Sequence, residues 1–139
     1  MAGKKKKEKI IFTKAKKKSA VARATLHYPG SGQIRINGYA VNVYAPNPYV
    51  EQIILEPFAL APQYRDAVDI SVNVHGGGFM GQAVAVRGAI AKALVELDQD
   101  LREVFLAYDR TLLVDDVRRV EPKKPLGRKA RAKKQTSYR

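Results

Sequence analysis

The residue types able to do chemistry are few in this chain, and their spacing does not bring them together. There is no Cys, which removes disulfide frameworks, zinc ribbons, thiol nucleophiles and iron–sulfur ligation. The two histidines, His27 and His75, have neither a local carboxylate nor a second His at ligand spacing, so each reads as an exposed or RNA-facing strand residue. Ser31 lies in a Gly-Ser-Gly turn rather than a G-x-S-x-G elbow between strand and helix. Asp115-Asp116 could hold a metal, but adjacent acids in a loop are ordinarily solvated. The run Gly76-Gly77-Gly78-Phe79-Met80-Gly81 matches G-x-G-x-x-G between a strand pattern and a helix pattern, the context of a dinucleotide-binding turn. The acids that should then follow about 20 residues on are Asp98 and Asp100, which precede a helix-like segment instead of ending a second parallel strand. The chain also lacks the sequence for a second mononucleotide half, and no G-K-[ST] follows. The glycines therefore read as a tight strand-to-helix turn. The helix N-terminus beyond them could hold a phosphate, including one of a nucleic acid. No acid, base and nucleophile assemble, so the expectation is no catalytic residue, no metal, no cofactor and no small-molecule substrate.

The cations say more. The chain has 139 residues with 26 Lys and Arg against 13 Asp and Glu, a net charge of +13. Residues 1–18 and residues 122–139 each carry a net +8, whereas the 103 residues between them carry −3. The predicted organisation is a basic N-terminal arm over 1–18, a near-neutral body over 19–121 able to fold alone, and an extended basic tail over 122–139. Neither arm can bury enough apolar surface to offset its ordering entropy, which predicts disorder in isolation. Pro122, Pro125 and Gly127 favour extended chain. At about 3.3–3.6 Å per residue, such a tail reaches about 60 Å from the body and can meet successive phosphates of a folded RNA. Aromatics are scarce in the arms (Phe12 and Tyr138). That favours backbone and shape recognition over a stacking platform.

The elements that must position these groups are legible from periodicity. Ser19 to Tyr28 alternates Ala20, Ala22, Ala24, Leu26 and Tyr28 against Arg23, Thr25 and His27, a half-buried strand. Gln33 to Ile36 resumes the alternation, and Asn37-Gly38 is a type I′ hairpin signal leading to a third strand over Tyr39 to Tyr44. Asn47-Pro48 predicts a helix N-terminus, with the helix ending near Glu56-Pro57. Asp69 to His75 is a strand, Phe79 to Leu97 a helix, and Asp100 to Tyr108 a second helical segment. Asp109 to Val120 reads as a short strand or an irregular return. The predicted fold class is α+β: two layers, a mixed four-stranded sheet in the order β-β-β-α-β-α, helices on one face. The longest uncharged stretch, Ile70 to Val86, contains Asn, His, Gln and four Gly, and is no membrane span. Ile10-Ile11-Phe12 is too short for a signal-peptide core, which leaves a soluble intracellular protein. Lys14, Lys16, Lys17 and Lys18 run into the strand bearing Arg23, and with Arg35 they could form one basic surface.

A series of strings in fixed order resembles a known family. They are Lys-Lys-Ser-Ala-Val-Ala-Arg-Ala (17–24), Gly-Gln-Ile-Arg-Ile-Asn-Gly (32–38), Glu-Pro-Phe-Ala-Leu-Ala (56–61) and Asp-Ile-Ser-Val-Asn-Val-His-Gly-Gly-Gly-Phe-Met-Gly-Gln-Ala (69–83). Further on come Arg-Gly-Ala-Ile-Ala-Lys-Ala-Leu (87–94), Tyr-Asp-Arg (108–110), Arg-Arg-Val-Glu-Pro-Lys-Lys (118–124), Gly-Arg-Lys-Ala-Arg-Ala (127–132) and the terminal Ser-Tyr-Arg. Together they resemble the universal small-subunit ribosomal protein number nine family in its archaeal or eukaryotic form, over about residues 14–139. The resemblance implies a mixed sheet with a left-handed crossover and a cytoplasmic protein of the small ribosomal subunit. It also implies binding to ribosomal RNA of the subunit head beside neighbouring ribosomal proteins, and a tail reaching the anticodon stem-loop of P-site tRNA. Carried onto this chain, the tail residues on ribosomal RNA would be Lys123, Lys124, Arg128, Lys129, Arg131, Lys133 and Lys134. Ser137, Tyr138 and Arg139 would meet the tRNA. The Lys4–Lys7 run lies outside the shared strings, and its contact with RNA rests on charge alone. The competing reading of the charge map is an architectural DNA-binding protein with basic arms.

Overall fold

The computed structural model describes residues 7–135 and 137. Its centre is one sheet whose strands follow a period-2 pattern of apolar residues. The strands are β1 (Lys9–Lys17), β2 (Ala20–Tyr28), β3 (Ile34–Ile36), β4 (Tyr39–Ala40) and β5 (Asp69–His75), arranged in the order β1-β2-β5-β3-β4. All neighbours are antiparallel except β3 and β5, which run parallel and so need a crossover. That crossover contains α1 (Val41–Tyr44) and α2 (Pro48–Leu60). Two more helices follow β5: α3 (Phe79–Leu97) and α4 (Leu101–Tyr108).

Burial is one-sided. Ala15, Ala20, Ala22, Ala24, Leu26, Ile34, Ile36, Ile70, Val72 and Val74 all point to the helix side and are buried. The small residues of β1 and β2 let α3 lie close against them. A Cβ on Gly88 of α3 would come within 3.1 Å of the Ala15 Cβ. Ala85, Val86, Ala89, Ile90, Ala93 and Leu94 of α3 fill the centre, with Val50, Ile54 and Phe58 from α2 and Phe105 from α4 around them. A charged group stitches the helices together at the margin of that core. Arg87 of α3 meets Glu56 of α2 at 2.5 Å and Asp109 at 3.6 Å, and donates to the Thr111 hydroxyl at 3.0 Å. The Tyr108 hydroxyl donates to the other Glu56 oxygen at 2.6 Å.

Several sequence expectations need correction. The sheet has five strands, not four, because Lys9–Lys17, read as part of a disordered arm, forms edge strand β1 along the full length of β2. The lysines there obscured an alternation in which Ile11, Thr13 and Ala15 face the helices. A fragment beginning at residue 19 would lack this strand and uncover Ala22, Ala24 and the flank of α3. The third predicted strand is cut short at Ala40, where the chain turns into α1. Val41 is buried there, and the Tyr44 hydroxyl reaches Gln82 of α3 at 2.6 Å, which a continuing strand would not allow. Helix α2 runs through Pro57 to Leu60. Pro57 forfeits one hydrogen bond, but it and Phe58 are both buried against the core, which holds the last turn in place. Of the two readings for residues 109–120, the irregular return is the one that forms, after a 3-10 turn at Arg110–Leu112 that buries Leu112.

Glycines set two turns. Asn37 and Gly38 have φ of 53° and 85°, the geometry of a type I′ hairpin. The Asn37 side chain also donates to the Val74 carbonyl at 3.0 Å and accepts from its N–H at 2.9 Å, continuing the bonding of β5 beyond the end of β3. Gly76 has φ of 78°, and a Cβ there would overlap the Ser19 carbonyl oxygen. These two sites separate conformational cost from steric cost. Gly38→Ala has nothing within 4 Å of the new Cβ and is expected to lower stability by about 1 kcal/mol, the left-handed penalty alone. Gly76→Ala adds the collision and is expected to cost at least about 2–3 kcal/mol. Denaturant melts of the two variants would overturn this account if the losses were equal.

Candidate nucleic-acid interface

Among the described residues, no element covers the face of the sheet away from the helices. Pairing register places its side chains in rows across the strands. One row runs Lys14, Arg23, Asn73; the next runs Phe12, Thr25, Ser71, Arg35. A third holds Lys16, Val21 and His75, and a fourth Ile10, His27 and Asp69. Lys14, Lys16, Arg23, Arg35, His27 and His75 are all exposed. The two histidines thus stand where the alternation placed them. Among the described residues, Lys14, Lys16, Arg23 and Arg35 make no side-chain ion pair. Asp69 sits at the end of this face and accepts from the N–H groups of Ser31 at 2.9 Å and Gln33 at 3.0 Å. These bonds, Gln33 first, hold its carboxyl below the usual range.

Other cations are matched. Lys17 lies on the opposite face from Lys14 and Lys16, and pairs with Asp116. The structure therefore separates it from the surface with which the sequence grouped it. Arg118 doubles on the same Asp116, at 3.1 Å from Nε and 2.7 Å from Nη2, and its N–H donates at 2.8 Å. Asp115 accepts from Lys92 at 2.8 Å. Asp116 titrates far below the ordinary carboxylate range because of Arg118 first and Lys17 second. The adjacent acids are thus the clamp that fixes the root of the tail to β1 and α3, and no group of ligands suited to a metal occurs among the described residues.

The glycine motif serves the turn. Gly76 and Gly77 take positive φ and pack on Ser19 and Ala20, and Gly78 opens α3 beside Lys17, Lys18 and Ser19, around a cleft of about 340 Å³. Asp98, the acid at dinucleotide spacing, accepts the Tyr64 hydroxyl at 2.8 Å instead.

The tail is less extended than its prolines and glycine predict. Gly127 and Lys133 form an antiparallel bridge, with the Arg128 N–H donating to the Ala132 carbonyl at 3.0 Å. Glu121 draws in Lys124 and Arg131. Lys123, Arg128, Lys129, Lys133 and Lys134 remain exposed. Ser137 is exposed, while Tyr138, Arg139 and Lys4 to Lys6 lie outside the described residues. Sequence reasoning missed the part Asn73 and Ser71 play in lining the cationic rows; only the register with β2 reveals it.

A one-sided α+β sheet with a bare cationic face and a clamped basic tail defines a nucleic-acid-binding structural protein. The family described as Ribosomal protein S9/S16 matches residues 15–139. A protein of Picrophilus torridus named small ribosomal subunit protein uS9 is 49% identical over 131 residues, covering 93% of this chain and 97% of its own. The proteins of the same name in Thermoplasma volcanium and Methanococcus maripaludis are 49% and 44% identical, covering 93% and 94% of this chain and 98% and 99% of theirs. The chain belongs to the ribosomal protein S9/S16 family, whose members are structural proteins of the ribosome and not enzymes.

The clamp carries a pH signature. A carboxyl depressed in the folded state contributes stability that is whole above its unfolded pKa, near 4, and is lost as pH falls toward the folded value. Asp116→Asn is expected to lower the melting temperature at pH 6 and to flatten its fall between pH 5 and 2.5. Parallel curves for variant and parent would remove Asp116 as a stabilising clamp.

Proposed function

We propose that this chain is a structural constituent of the cytoplasmic small ribosomal subunit that binds ribosomal RNA of the subunit head and touches P-site tRNA with the end of its tail. The observation that carries the RNA reading is the helix-free face on which Lys14, Lys16, Arg23 and Arg35 stand exposed without acidic partners. Elsewhere on the body Lys17, Arg87, Lys92 and Arg118 are matched by carboxylates. Four unmatched charges on one flat surface repel one another, and a phosphate backbone relieves that repulsion while releasing counterions. Lys18, exposed at the turn after β1 beside the start of α3, adds a further cation for phosphate. In the tail, Lys123, Lys124, Arg128, Lys129, Arg131, Lys133 and Lys134 supply further phosphate contacts. Contacts of this kind fix position and orientation and carry no sequence information. Membership of the family, with relatives named as small-subunit proteins, supports the assignment to that particle. The tRNA contact through Ser137, Tyr138 and Arg139 rests on the resemblance of the terminal Ser-Tyr-Arg, and a terminal arginine there would grip the tRNA backbone. No chemistry is required of the protein.

Binding of the full chain to a head fragment of small-subunit ribosomal RNA should show a log–log salt slope on the order of −6. Lys14→Gln and Arg23→Gln should each reduce that slope by about 0.7–0.9. An unchanged slope in both variants would take the open face out of the RNA interface. Deleting residues 137–139 should leave subunit assembly nearly intact while speeding release of P-site tRNA; an unaltered off-rate would sink the tRNA reading and leave the RNA scaffold standing.

A further inference from the structure

Strand β1 is the outer strand of the sheet, and its free edge is treated in two different ways along its length. Near its C-terminal end the edge is closed by the protein's own groups. The Lys16 N–H points at the Asp115 carboxylate at 3.4 Å, and the Lys14 carbonyl accepts from Lys92 at 3.1 Å. In an antiparallel strand, alternate residues direct both backbone groups to the same side. Phe12 and Ile10 therefore aim their N–H and C=O outward in the same way as Lys14 and Lys16. Among the described residues nothing meets them there. Both side chains are also exposed, Phe12 at 73% and Ile10 at 55%, on the helix-free face.

Beside this open stretch, on the helix side, lies a groove of about 450 Å³. Its floor is apolar, from Val95, Leu106, Leu113 and Val114, and its rim carries Glu96 and Arg102. Leu106 and Val114 are 41% and 40% exposed. A strand laid along Ile10–Phe12 would thus find three things in register. Two outward N–H and C=O pairs would complete its ladder, the groove would take its inward side chains, and Phe12 and Ile10 would pack against its outward ones. Soluble proteins ordinarily guard an exposed edge of this kind. This one guards its edge only as far as Lys14.

We infer that the Ile10–Phe12 edge of β1 is a docking site for an extended segment of another protein, added as a sixth strand, with apolar side chains at alternate positions and acidic residues around them. The chemistry selects this occupant. The edge offers donors and acceptors in equal number at strand spacing, which a peptide backbone matches and a phosphate backbone, lacking donors at its phosphates, does not. Lys7, Lys9, Lys14 and Arg102 outnumber Glu8 and Glu96 along it, which favours an acidic segment. A second copy would bring its own N-terminal segment of net +8 alongside the first and is repelled. The inference takes from the proposed function only that the protein resides in a ribonucleoprotein particle.

The test places a photoreactive phenylalanine analogue at Phe12, at Leu106 or at Arg23 in the full chain, with irradiation of purified small subunits. A single strand between two walls predicts that the Phe12 and Leu106 probes join the same short stretch of one protein, at residues of opposite parity, while the Arg23 probe joins RNA. Phe12→Pro removes the outward N–H together with the exposed ring, both on the docking side, and leaves the ladder to β2 intact. It should cut the Leu106 cross-link at least tenfold with the free protein melting within a few degrees of the parent. Cross-links from Phe12 and Leu106 to RNA, to a second copy, to unrelated proteins, or no cross-link from either, would overturn the docking edge. So would a Phe12→Pro variant that melts like the parent and cross-links at full yield. Should that variant fail to fold, Ile10→Pro applies the same test one outward residue along. Failure of the Arg23 probe to reach RNA would count against the proposed function and leave the edge untouched.

Discussion

Covering a sheet with helices on one face only is the constraint from which the other features follow. A helix layer on both faces would have required apolar side chains at every strand position; here only alternate positions are apolar, and the rest are released for other use. The alanines of β2 and the tight seat of Gly88 on Ala15 bring α3 so close that a single layer suffices to bury Val72, Ile90 and Leu94 completely. What the core gives up in area on the far side becomes a flat polar surface with fixed spacing between strands, about 4.8 Å. Rows such as Lys14, Arg23, Asn73 are therefore held at distances that side-chain flexibility alone would not define.

Charge is sorted by the same division. Carboxylates collect on the helix side and at the tail root, where Glu56 engages Arg87, Asp115 engages Lys92 and Asp116 engages Lys17 and Arg118. All of these except the Asp116–Arg118 pair join segments distant in sequence. On the open face, by contrast, Lys14, Lys16, Arg23 and Arg35 make no side-chain ion pair among the described residues. A net charge of +13 therefore hides a local contrast, since these pairs neutralise part of the helix side while the four cations of the open face stay bare.

Much of this was legible in the sequence because strong local signals agreed with the fold. Asp69–His75 and Phe79–Leu97 have the bounds their periodicity assigns, and Asn37-Gly38 forms the hairpin its residue types favour. The glycine run is readable as a turn, though only the fold brings the Ser19 carbonyl against Gly76. Strand β1 is masked in the sequence by its lysine density, which has the composition of a disordered arm. Its stability comes from pairing with β2 and from Thr13 donating to the Ala89 carbonyl at 2.8 Å, contacts between residues far apart in the chain. The extension of α2 through Pro57 escaped for the same reason: tertiary burial of Phe58 overrides a local break. Of the candidate contacts, spacing grouped Lys14 with Lys16 and Arg23 but could not place Lys17 on the other face, because its partner Asp116 is recognisable only after folding.

The two acidic anchors of the tail differ in what they allow. Asp116 receives Lys17, both Nε and Nη2 of Arg118 and a backbone N–H, and its side chain is largely enclosed, so binding RNA gains nothing by breaking it. Glu121 holds Lys124 and Arg131, and Arg131 is almost fully exposed there. Pairs of that kind compete poorly with water and salt, and a phosphate exchanges readily for the carboxylate. The tail can therefore unfurl from Glu121 onward while its root stays fixed to the sheet edge. Fixing the root limits the volume the remaining residues explore and so lowers the entropy lost when they settle along an RNA. The bridge between Gly127 and Lys133 acts in the same direction by restricting the free chain. Under the proposed function, a grip built in this way would draw its reach from the tail and its direction from the folded body.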